Sequence, residues 1–208
     1  MSNKDYTIRN ERPEEYRQVE ELTREAFWNV YRPGCLEHYV LHTLRDDPAF
    51  VPELSLVLEK DGQIIGHVMY MRAHIETKEG AVIPMMTFGP ISIAPDLQRQ
   101  GYGKLLLDES LKRAKEMGAG VICMEGNINF YGKSGFVVAS TRGIHYNDEP
   151  WQEELSFFLL KELEDGFLDG VEGTYRTPQG YYVDEQQADA FDKLFTPKEK
   201  LKLPTQLF

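Results

Sequence analysis

The sequence predicts a mixed α/β fold built on one central twisted sheet, and three patterns in it support this prediction. First, β-rich runs alternate with segments whose apolar residues recur at helical spacing. Second, two β-rich runs flank Asp61-Gly62, a strong short-range signal for a β-hairpin. Third, a glycine-containing turn at residues 97–103 leads directly into an amphipathic helix. Strands and helices mixed along one chain in this way favour a layered α/β domain over an all-helical or all-β one.

The N-terminal part predicts one strand and two helices. The strand covers YTIRN at residues 6–10, and the first helix follows Pro13. Its apolar positions lie three or four residues apart: Val19, Leu22, Ala26 and Phe27. A second helix is predicted over residues 36–44. These helices precede the hairpin at Asp61-Gly62.

The middle of the chain predicts the strand and helix that frame the glycine turn. Residues 81–95, AVIPMMTFGPISIAP, predict a long strand interrupted at Gly89-Pro90. Because proline has no N–H for a sheet ladder, the strand should bulge or splay there. The helix that follows the turn should end at Gly118.

Further elements follow this helix. Residues 120–126 predict a buried strand and residues 127–135 a short helix or turn. Residues 136–140 and 154–163 predict two more strands. After about Gly166 the composition becomes rich in tyrosine, glycine and proline, and then predicts a helix over residues 185–194. We therefore expect a main domain over residues 1–165 and an extension over 166–208 that packs on it.

Charge and hydropathy narrow the classes of function. The formal net charge is −11 and the isoelectric point is near 5.0, which disfavours binding to nucleic acid or to anionic membranes. An acidic protein attracts cationic amines, although many acidic proteins are acidic for solubility alone. The N-terminus carries no apolar segment of a secretory signal, and the apolar run at 81–95 is too short to cross a bilayer. These features predict a soluble, cytoplasmic protein.

Cysteine and histidine spacing predicts neither a disulfide framework nor a metal site. The chain contains only two cysteines, Cys35 and Cys123, each within an apolar or helical stretch. His38 and His42 lie four residues apart, but position 39 is Tyr where the metalloprotease pattern requires Glu. We therefore expect no bound metal.

The glycine turn matches one phosphate-binding pattern better than two others. A P-loop would need Gly at Gln98 and Ser or Thr at Leu105, and it is excluded. A dinucleotide fingerprint would need Gly or Ala at Leu106, with an acidic residue about twenty positions later, for which Glu125 is only loosely placed. That alternative is weakened but stays open. The segment 98–103 fits Q/R-x-x-G-x-G/A, placed after a strand and before a helix.

This segment resembles the acetyl-coenzyme A loop of the GNAT superfamily of N-acetyltransferases. The resemblance extends to FGPISIAPDLQRQGYG (88–103), which is similar to the family's fourth strand and loop. It also extends to GVICMEGNINFYGKSGF (120–136), which is similar to its fifth strand and Tyr-x-x-x-Gly-Phe motif. The matching motifs span roughly residues 86–139, and a weaker likeness of element order spans 6–163. The resemblance implies a GNAT-type sheet with splayed fourth and fifth strands and helices on both faces.

The resemblance also implies acetyl-CoA as the bound cofactor. Main-chain groups of Ile91 and Ile93 would bond the pantetheine amides, and the N–H of Ile91 would polarise the acetyl carbonyl. Asn129 would bond pantetheine or the neighbouring backbone, although a local turn role is a comparable alternative. The diphosphate would lie on N–H groups at a helix start, where donors and the helix dipole favour an anion. The loop residues assigned to cofactor binding are Gln98, Arg99, Gln100, Gly101, Tyr102, Gly103 and Lys104.

Three residues are candidates for proton transfer. Tyr131 matches the family position whose hydroxyl lies near the thioester sulfur, so it is the predicted general acid. Glu125 at the end of the fifth strand is a candidate base, and capping of the next short helix is an equal interpretation. His74, with Glu76, is a second candidate base. Family members commonly carry an acid on the fourth strand, but this chain offers only hydroxyls there, at Thr87 and Ser92.

Taken together, the sequence predicts an acetyl-CoA dependent N-acetyltransferase that acts by direct attack of a primary amine. The acceptor would be a small-molecule or peptide amine, and a homodimer is possible. A non-catalytic acyl-CoA-binding sensor is the main alternative, supported by the missing acid on the fourth strand. A third reading is transfer of a longer acyl chain, for which room beside Ile91 and Met124 would matter.

Overall fold

The structure is a computed structural model, and it describes residues 6–151 and 153–207. Within those residues it has nine strands and five α-helices. The strands are β1 (Tyr6–Asn10), β2 (Leu56–Lys60), β3 (Gln63–Thr77), β4 (Val82–Ile93), β5 (Val121–Glu125), β6 (Val137–Val138), β7 (Ile144–Tyr146), β8 (Phe158–Glu162) and β9 (Gly173–Arg176). The helices are α1 (Tyr16–Phe27), α2 (Glu37–Leu44), α3 (Tyr102–Glu116), α4 (Ile128–Tyr131) and α5 (Glu185–Asp192).

The strands form one mixed sheet, which confirms the predicted fold class. Its order is β1-β2-β3-β4-β5-β8-β6, and β9 pairs with both β3 and β7. The β1–β2, β2–β3 and β5–β8 pairs are antiparallel, whereas β4–β5 and β7–β9 are parallel. The crossover from β4 to its parallel neighbour β5 runs through α3, as parallel pairing requires.

Two glycines end elements where the sequence predicts it. Asp61 and Gly62 have φ values of 51° and 76° and connect β2 to β3, as expected for a two-residue turn with both central residues left-handed. Gly118, with φ of 87°, follows the end of α3 and provides its left-handed stop.

The fourth strand differs from the prediction in one respect. β4 continues without a break through Gly89-Pro90, whereas the sequence predicts an interruption there. The distortion is nevertheless at the expected place, because Gly89 has φ of 147°. Within the described residues, β4 and β5 share a single paired position, Met86↔Ile122. The two strands therefore separate beyond that pair, as the predicted splay requires.

Two strands, β7 and β9, are absent from the predicted order. β9 comes from a segment rich in glycine and tyrosine, and β7 has only three residues, so neither has a clear alternating pattern. Of the predicted strand at residues 136–140, only β6 is extended, and residues Ala139–Arg142 form a 3-10 helix. Pairing with neighbouring strands, more than local propensity, makes these segments β.

The chain contains two compact units, which we describe separately. The first comprises the described residues up to Met69, Pro90–Leu106 and those from Gln179. Its core is made by α1, α2 and β2 and includes fully buried Val19, Leu41, Leu44, Leu56 and Leu58. The second comprises Tyr70–Gly89 and Leu107–Pro178, and its core includes Ile75, Val121, Cys123, Phe158, Leu160 and Tyr175.

No helix in the described part of the chain combines the length and apolar character that a membrane span needs.

Candidate active site

The glycine turn of the first unit is held in shape by two glutamine side chains. Gln98 Nε2 donates to the carbonyl oxygen of Ile93 at 3.1 Å, and Gln100 Nε2 donates to that of Asp96 at 2.9 Å. These bonds connect the turn to the end of β4 and to the 3-10 helix Pro95–Leu97 that follows it. The side chains of both glutamines therefore fix the loop.

The backbone of this turn is conformationally demanding. Arg99 has φ of 61° and Gly101 has φ of 93°, both in the left-handed region that glycine tolerates best. A Cβ at Gly101 would meet nothing within 4 Å, so the backbone conformation, not crowding, requires glycine. The turn residues 98–101 are exposed to solvent.

The N–H groups at this turn have the character of an anion site. In residues 6–151 and 153–207, nothing accepts a hydrogen bond from the backbone N–H of Gln100, Gly101, Tyr102 or Gly103. The helix α3 begins at Tyr102, so these donors lie at the positive end of its dipole. Exposed basic side chains at Arg99 and Lys104 add positive charge. A diphosphate group fits this combination.

The strand before the turn approaches β3 closely. A Cβ at Gly66 would lie 2.6 Å from Ile93 Cδ1 and 3.2 Å from the Ser92 carbonyl oxygen, so only glycine allows this contact. Ile93 is 8% exposed, and Ile91 is half-buried. The predicted main-chain contacts for pantetheine therefore lie on a strand that is anchored through its side chains.

In the second unit, Tyr131 ends α4 and lies among aromatic rings. Its ring centroid is 5.9 Å from that of Phe88, 5.8 Å from that of Phe136 and 4.8 Å from that of Phe130. A Cβ at Gly126 would come within 2.3 Å of the Tyr131 ring. The ring thus packs against bare backbone directly after β5.

Glu125 is exposed at the end of β5, and its carboxylate is engaged. Glu125 Oε1 accepts a hydrogen bond from Tyr146 Oη at 2.6 Å. The cap of α4 is Asn127, whose side chain accepts from the N–H of Asn129 at 2.9 Å. The capping alternative for Glu125 is therefore wrong, because Asn127 caps this helix.

The second candidate base lies on β3. His74 Nε2 is 3.8 Å from Glu76 Oε1, and Glu76 also pairs with Arg176 at 3.2 Å. Arg176 bonds Asp148 at 2.5 Å as well. His74 thus belongs to an exposed charged group whose members largely satisfy one another.

The hydroxyls of β4 are both buried and already bonded. Thr87 and Ser92 are each 3% exposed. Ser92 Oγ lies 3.2 Å from Thr23 Oγ1. Thr87 hydrogen-bonds Tyr175, whose hydroxyl pKa is raised by burial. Both hydroxyls therefore already have partners within the fold.

Comparison with known families shows which family the chain matches. The family described as Acetyltransferase (GNAT) domain matches residues 7–139, about two thirds of the chain. The chain belongs to the GNAT acetyltransferase family. The matched region contains the glycine turn, Glu125 and Tyr131.

A GNAT relative is known from sequence. The protein described as "Uncharacterized N-acetyltransferase YjhQ" from Escherichia coli K12 is 26% identical over 94 residues, which make up 45% of this chain. The match spans 51% of that protein, so the chain covers about half the length of this curated relative.

Solved GNAT structures share the fold. YhbS of Escherichia coli, crystallised with CoA, is 24% identical, has a TM-score of 0.72 and is matched over 92% of its length and 85% of this chain. A GNAT acetyltransferase from Brucella melitensis, crystallised with acetyl-CoA, is 25% identical with a TM-score of 0.67, over 98% of its length and 85% of this chain. At 24% identity, the similarity to YhbS shows a shared fold and nothing further.

One side chain of this GNAT chain was missed by sequence reasoning. Tyr146 gives Glu125 its hydrogen bond, yet it lies 21 residues away in the unpredicted strand β7. The sequence offers only a weak signal there, the three-residue β-rich run Ile144–Tyr146 after Gly143. The position of Tyr146 is set by the pairing of β7 with β9, and β9 lies in the predicted extension.

Proposed function

We propose that this protein transfers an acetyl group from acetyl-CoA to a primary amine by direct attack, without a covalent intermediate on the enzyme. The observation that carries the proposal is the glycine turn at residues 98–103, whose N–H donors lie at the start of α3. Membership of the GNAT family supports acetyl transfer, and the Brucella melitensis relative binds acetyl-CoA in its crystal. The acceptor class is a small-molecule or peptide amine.

The first unit supplies the binding groups in this proposal. The N–H groups between Arg99 and Lys104 bind the diphosphate, and charge on those two side chains adds attraction. Backbone groups at Ile91 and Ile93 are assigned to the pantetheine amides, and Asn129 is assigned to pantetheine or to the neighbouring backbone. Acetyl-CoA supplies a thioester, which a neutral and aligned amine attacks without covalent help from the protein.

The second unit supplies the proton-transfer groups. An alkylamine has a pKa of about 10 and is protonated at neutral pH, so a base must take its proton. Glu125 is the proposed base, because its carboxylate is exposed and is held by a hydrogen bond from Tyr146. His74 is the second candidate. The Tyr131 hydroxyl is the proposed donor of a proton to the departing thiol.

A non-catalytic acyl-CoA sensor is the second candidate function. The observation that favours it is β4, which carries no acidic residue and whose two hydroxyls are buried and bonded. Such a protein would keep the diphosphate site and lose turnover.

Calorimetry with CoA tests the binding site. The double variant G101V/G103V should lose binding by about 100-fold or more, because valine disfavours the left-handed turn and covers the N–H donors. The matched control is G62V, which places the same strain in the β2–β3 turn, where φ is also positive and space is open. Equal binding by G101V/G103V and wild type would contradict the proposal.

A thiol-release assay with acetyl-CoA and a panel of amines then separates the two functions. Release that depends on a primary amine supports the transferase. Saturable CoA binding without release from any amine supports the sensor.

A further inference from the structure

A directed chain of hydrogen bonds ends at the Glu125 carboxylate. Asn147 Nδ2 donates to Thr177 Oγ1 at 3.1 Å, and Thr177 Oγ1 donates to Tyr146 Oη at 3.4 Å. Tyr146 Oη then donates to Glu125 Oε1 at 2.6 Å, the shortest bond of the three. Every donor points toward the carboxylate, and hydrogen bonds in such a chain polarise one another. The last bond is also charge-assisted, which strengthens it further.

The Tyr146 ring is fixed independently of Glu125. Its centroid lies 5.0 Å from that of Phe158, 5.5 Å from that of Phe157 and 6.2 Å from that of Tyr175. Tyr146 is also paired with Tyr175 in the parallel β7–β9 ladder. Since packing and pairing both set the ring, the hydroxyl has a defined position to which the more exposed carboxylate conforms.

The start of the chain is held by a strained backbone. Asn147 has φ of 46°, in the left-handed region. Its N–H donates to the Tyr175 carbonyl oxygen at 2.9 Å, and its Oδ1 accepts from the N–H of Thr177 at 2.9 Å. A left-handed non-glycine residue persists where its surroundings over-determine it, and such residues cluster at functional sites.

The two oxygens of Glu125 are in different situations. Oε1 accepts from Tyr146, whereas no group in the described ranges 6–151 and 153–207 donates a hydrogen bond to Oε2. The side chain is exposed, so a ligand in solvent can reach it. One oxygen therefore fixes the orientation of the carboxylate and the other is left to accept a proton.

We propose that Tyr146 is a positioning residue that holds Glu125 as the general base, with Thr177 and Asn147 supporting it. This inference rests on the proposed transfer to an amine. In the step, an N–H bond of the substrate ammonium breaks and a bond from that hydrogen to Glu125 Oε2 forms. The neutral amine and a protonated Glu125 result, and Glu125 later returns the proton to solvent.

The variant Y146F tests the inference, because it keeps the ring and removes only the donor. Losing the donor leaves the carboxylate without a fixed orientation, so the effect should appear in kcat and not in KM for the amine. At pH 7, kcat should fall about tenfold, while CoA binding stays within about twofold of wild type. T177V should act in the same direction more weakly, and T177S should restore wild-type behaviour.

The matched control is Y175F, which removes a hydroxyl from the neighbouring ring. That hydroxyl bonds Thr87, so Y175F should keep kcat near the wild-type value. Adding Y146F to E125Q should cost little further activity, because both act through one carboxylate. A purely structural tyrosine would lower the stability of Y146F and leave kcat of the folded enzyme near the wild-type value, which would overturn the inference.

A second measurement keeps the inference separate from the proposed function. If wild type acetylates no amine, the transferase proposal fails, and the ¹³C carboxyl signal of Glu125, assigned with E125Q, decides the inference instead. In Y146F the chemical shift of this signal at pH 7 should differ from that in wild type, because the carboxylate loses its donor. The same chemical shift in both proteins would overturn the inference.

Discussion

At the scale of single residues, one group of charges in the first unit is buried and paired. Arg45 lies 2.7 Å from carboxylate oxygens of both Glu11 and Glu20, and all three side chains are 6% exposed or less. His67 Nε2 lies 3.7 Å from Glu11. Removing one member of a buried ion pair leaves the other charge buried without a partner. This lowers the stability of the protein more than breaking an exposed pair does.

Glu11 should therefore make stability depend on pH. Burial alone would raise the pKa of Glu11, but hydrogen bonds and charges from His67 and Arg45 outweigh it and lower that pKa to about 2. A carboxyl group with a lowered folded pKa stabilises the protein fully above its unfolded value, about 4.3, and this stabilisation is lost as pH falls toward 2. Between pH 5 and 2.5, wild type should lose about 2 kcal/mol more than E11Q in its free energy of unfolding by urea.

The control for this prediction is E14Q, which neutralises an exposed carboxylate near β1. Its stability should follow wild type across the same pH range. If the free energies of unfolding of E11Q and wild type changed equally with pH, the partners of Glu11 would not stabilise its charged form.

A second group of side chains in the first unit, Cys35, His38 and Asp192, is connected in the order of a catalytic triad. Cys35 Sγ lies 3.3 Å from His38 Nδ1, and His38 Nε2 lies 3.2 Å from Asp192 Oδ1. Burial raises the pKa of Cys35 to about 12 and lowers that of His38 to about 4. The thiol therefore stays protonated at neutral pH, and we assign this group to packing, since a nucleophile requires the thiolate.

At the scale of elements, the turn between β5 and α4 controls where Tyr131 lies. In G126A the new Cβ would lie 2.3 Å from the Tyr131 ring and 2.9 Å from Met124 Cε, so the ring must move. We expect a loss of about 1–3 kcal/mol in stability from this overpacking. If Tyr131 is the acid, kcat for amine acetylation should fall about tenfold, with CoA affinity unchanged.

Gly132 offers a matched control within the same turn. A Cβ there would meet only Ile128, at 3.5 Å, and its φ of −57° suits alanine. G132A should therefore keep both stability and kcat near wild type. Equal kcat for G126A and wild type would argue against a role for the ring position in the reaction.

The strands show which elements the sequence could predict. The β2–β3 hairpin and the end of α3 were predictable because Asp61-Gly62 and Gly118 determine the backbone locally. β7 and β9 were not, because their extended form comes from pairing with each other and with β3. The orientation of Glu125 depends on those two strands, so it could not be predicted from the sequence either.

At the scale of the whole molecule, residues far apart in sequence meet within the first unit. Arg24 of α1 is 2% exposed, and its Nε donates to Asp192 Oδ1 of α5 at 2.6 Å. Arg17 donates to the carbonyl oxygen of Leu194, and its guanidinium lies 3.4 Å from the Phe195 ring centroid. The C-terminal helix is thereby joined to α1 by a buried charge pair and a cation–π contact.

The variant D192N should lower the free energy of unfolding by about 3 kcal/mol, because it leaves the Arg24 guanidinium buried without a counter-charge. Asp189 of the same helix gives the comparison, since its side chain is 62% exposed and pairs with Lys200. D189N should cost less than about 1 kcal/mol. Urea unfolding at pH 7 measures both, and similar small losses would mean that α5 contributes little through this pair.

The sequence by itself determined the elements whose signals are local: the hairpin turn, the glycine turn before α3, the helix stops and the motif that resembles the GNAT cofactor loop. Only the tertiary structure decided that Tyr146 bonds Glu125, that Asn127 caps α4 and that Asp192 neutralises Arg24. The physical reason is that φ preferences and hydrogen-bond caps act over a few residues. The Tyr146–Glu125 bond and the Arg24–Asp192 pair instead join residues that lie 21 and 168 positions apart, which no local pattern records.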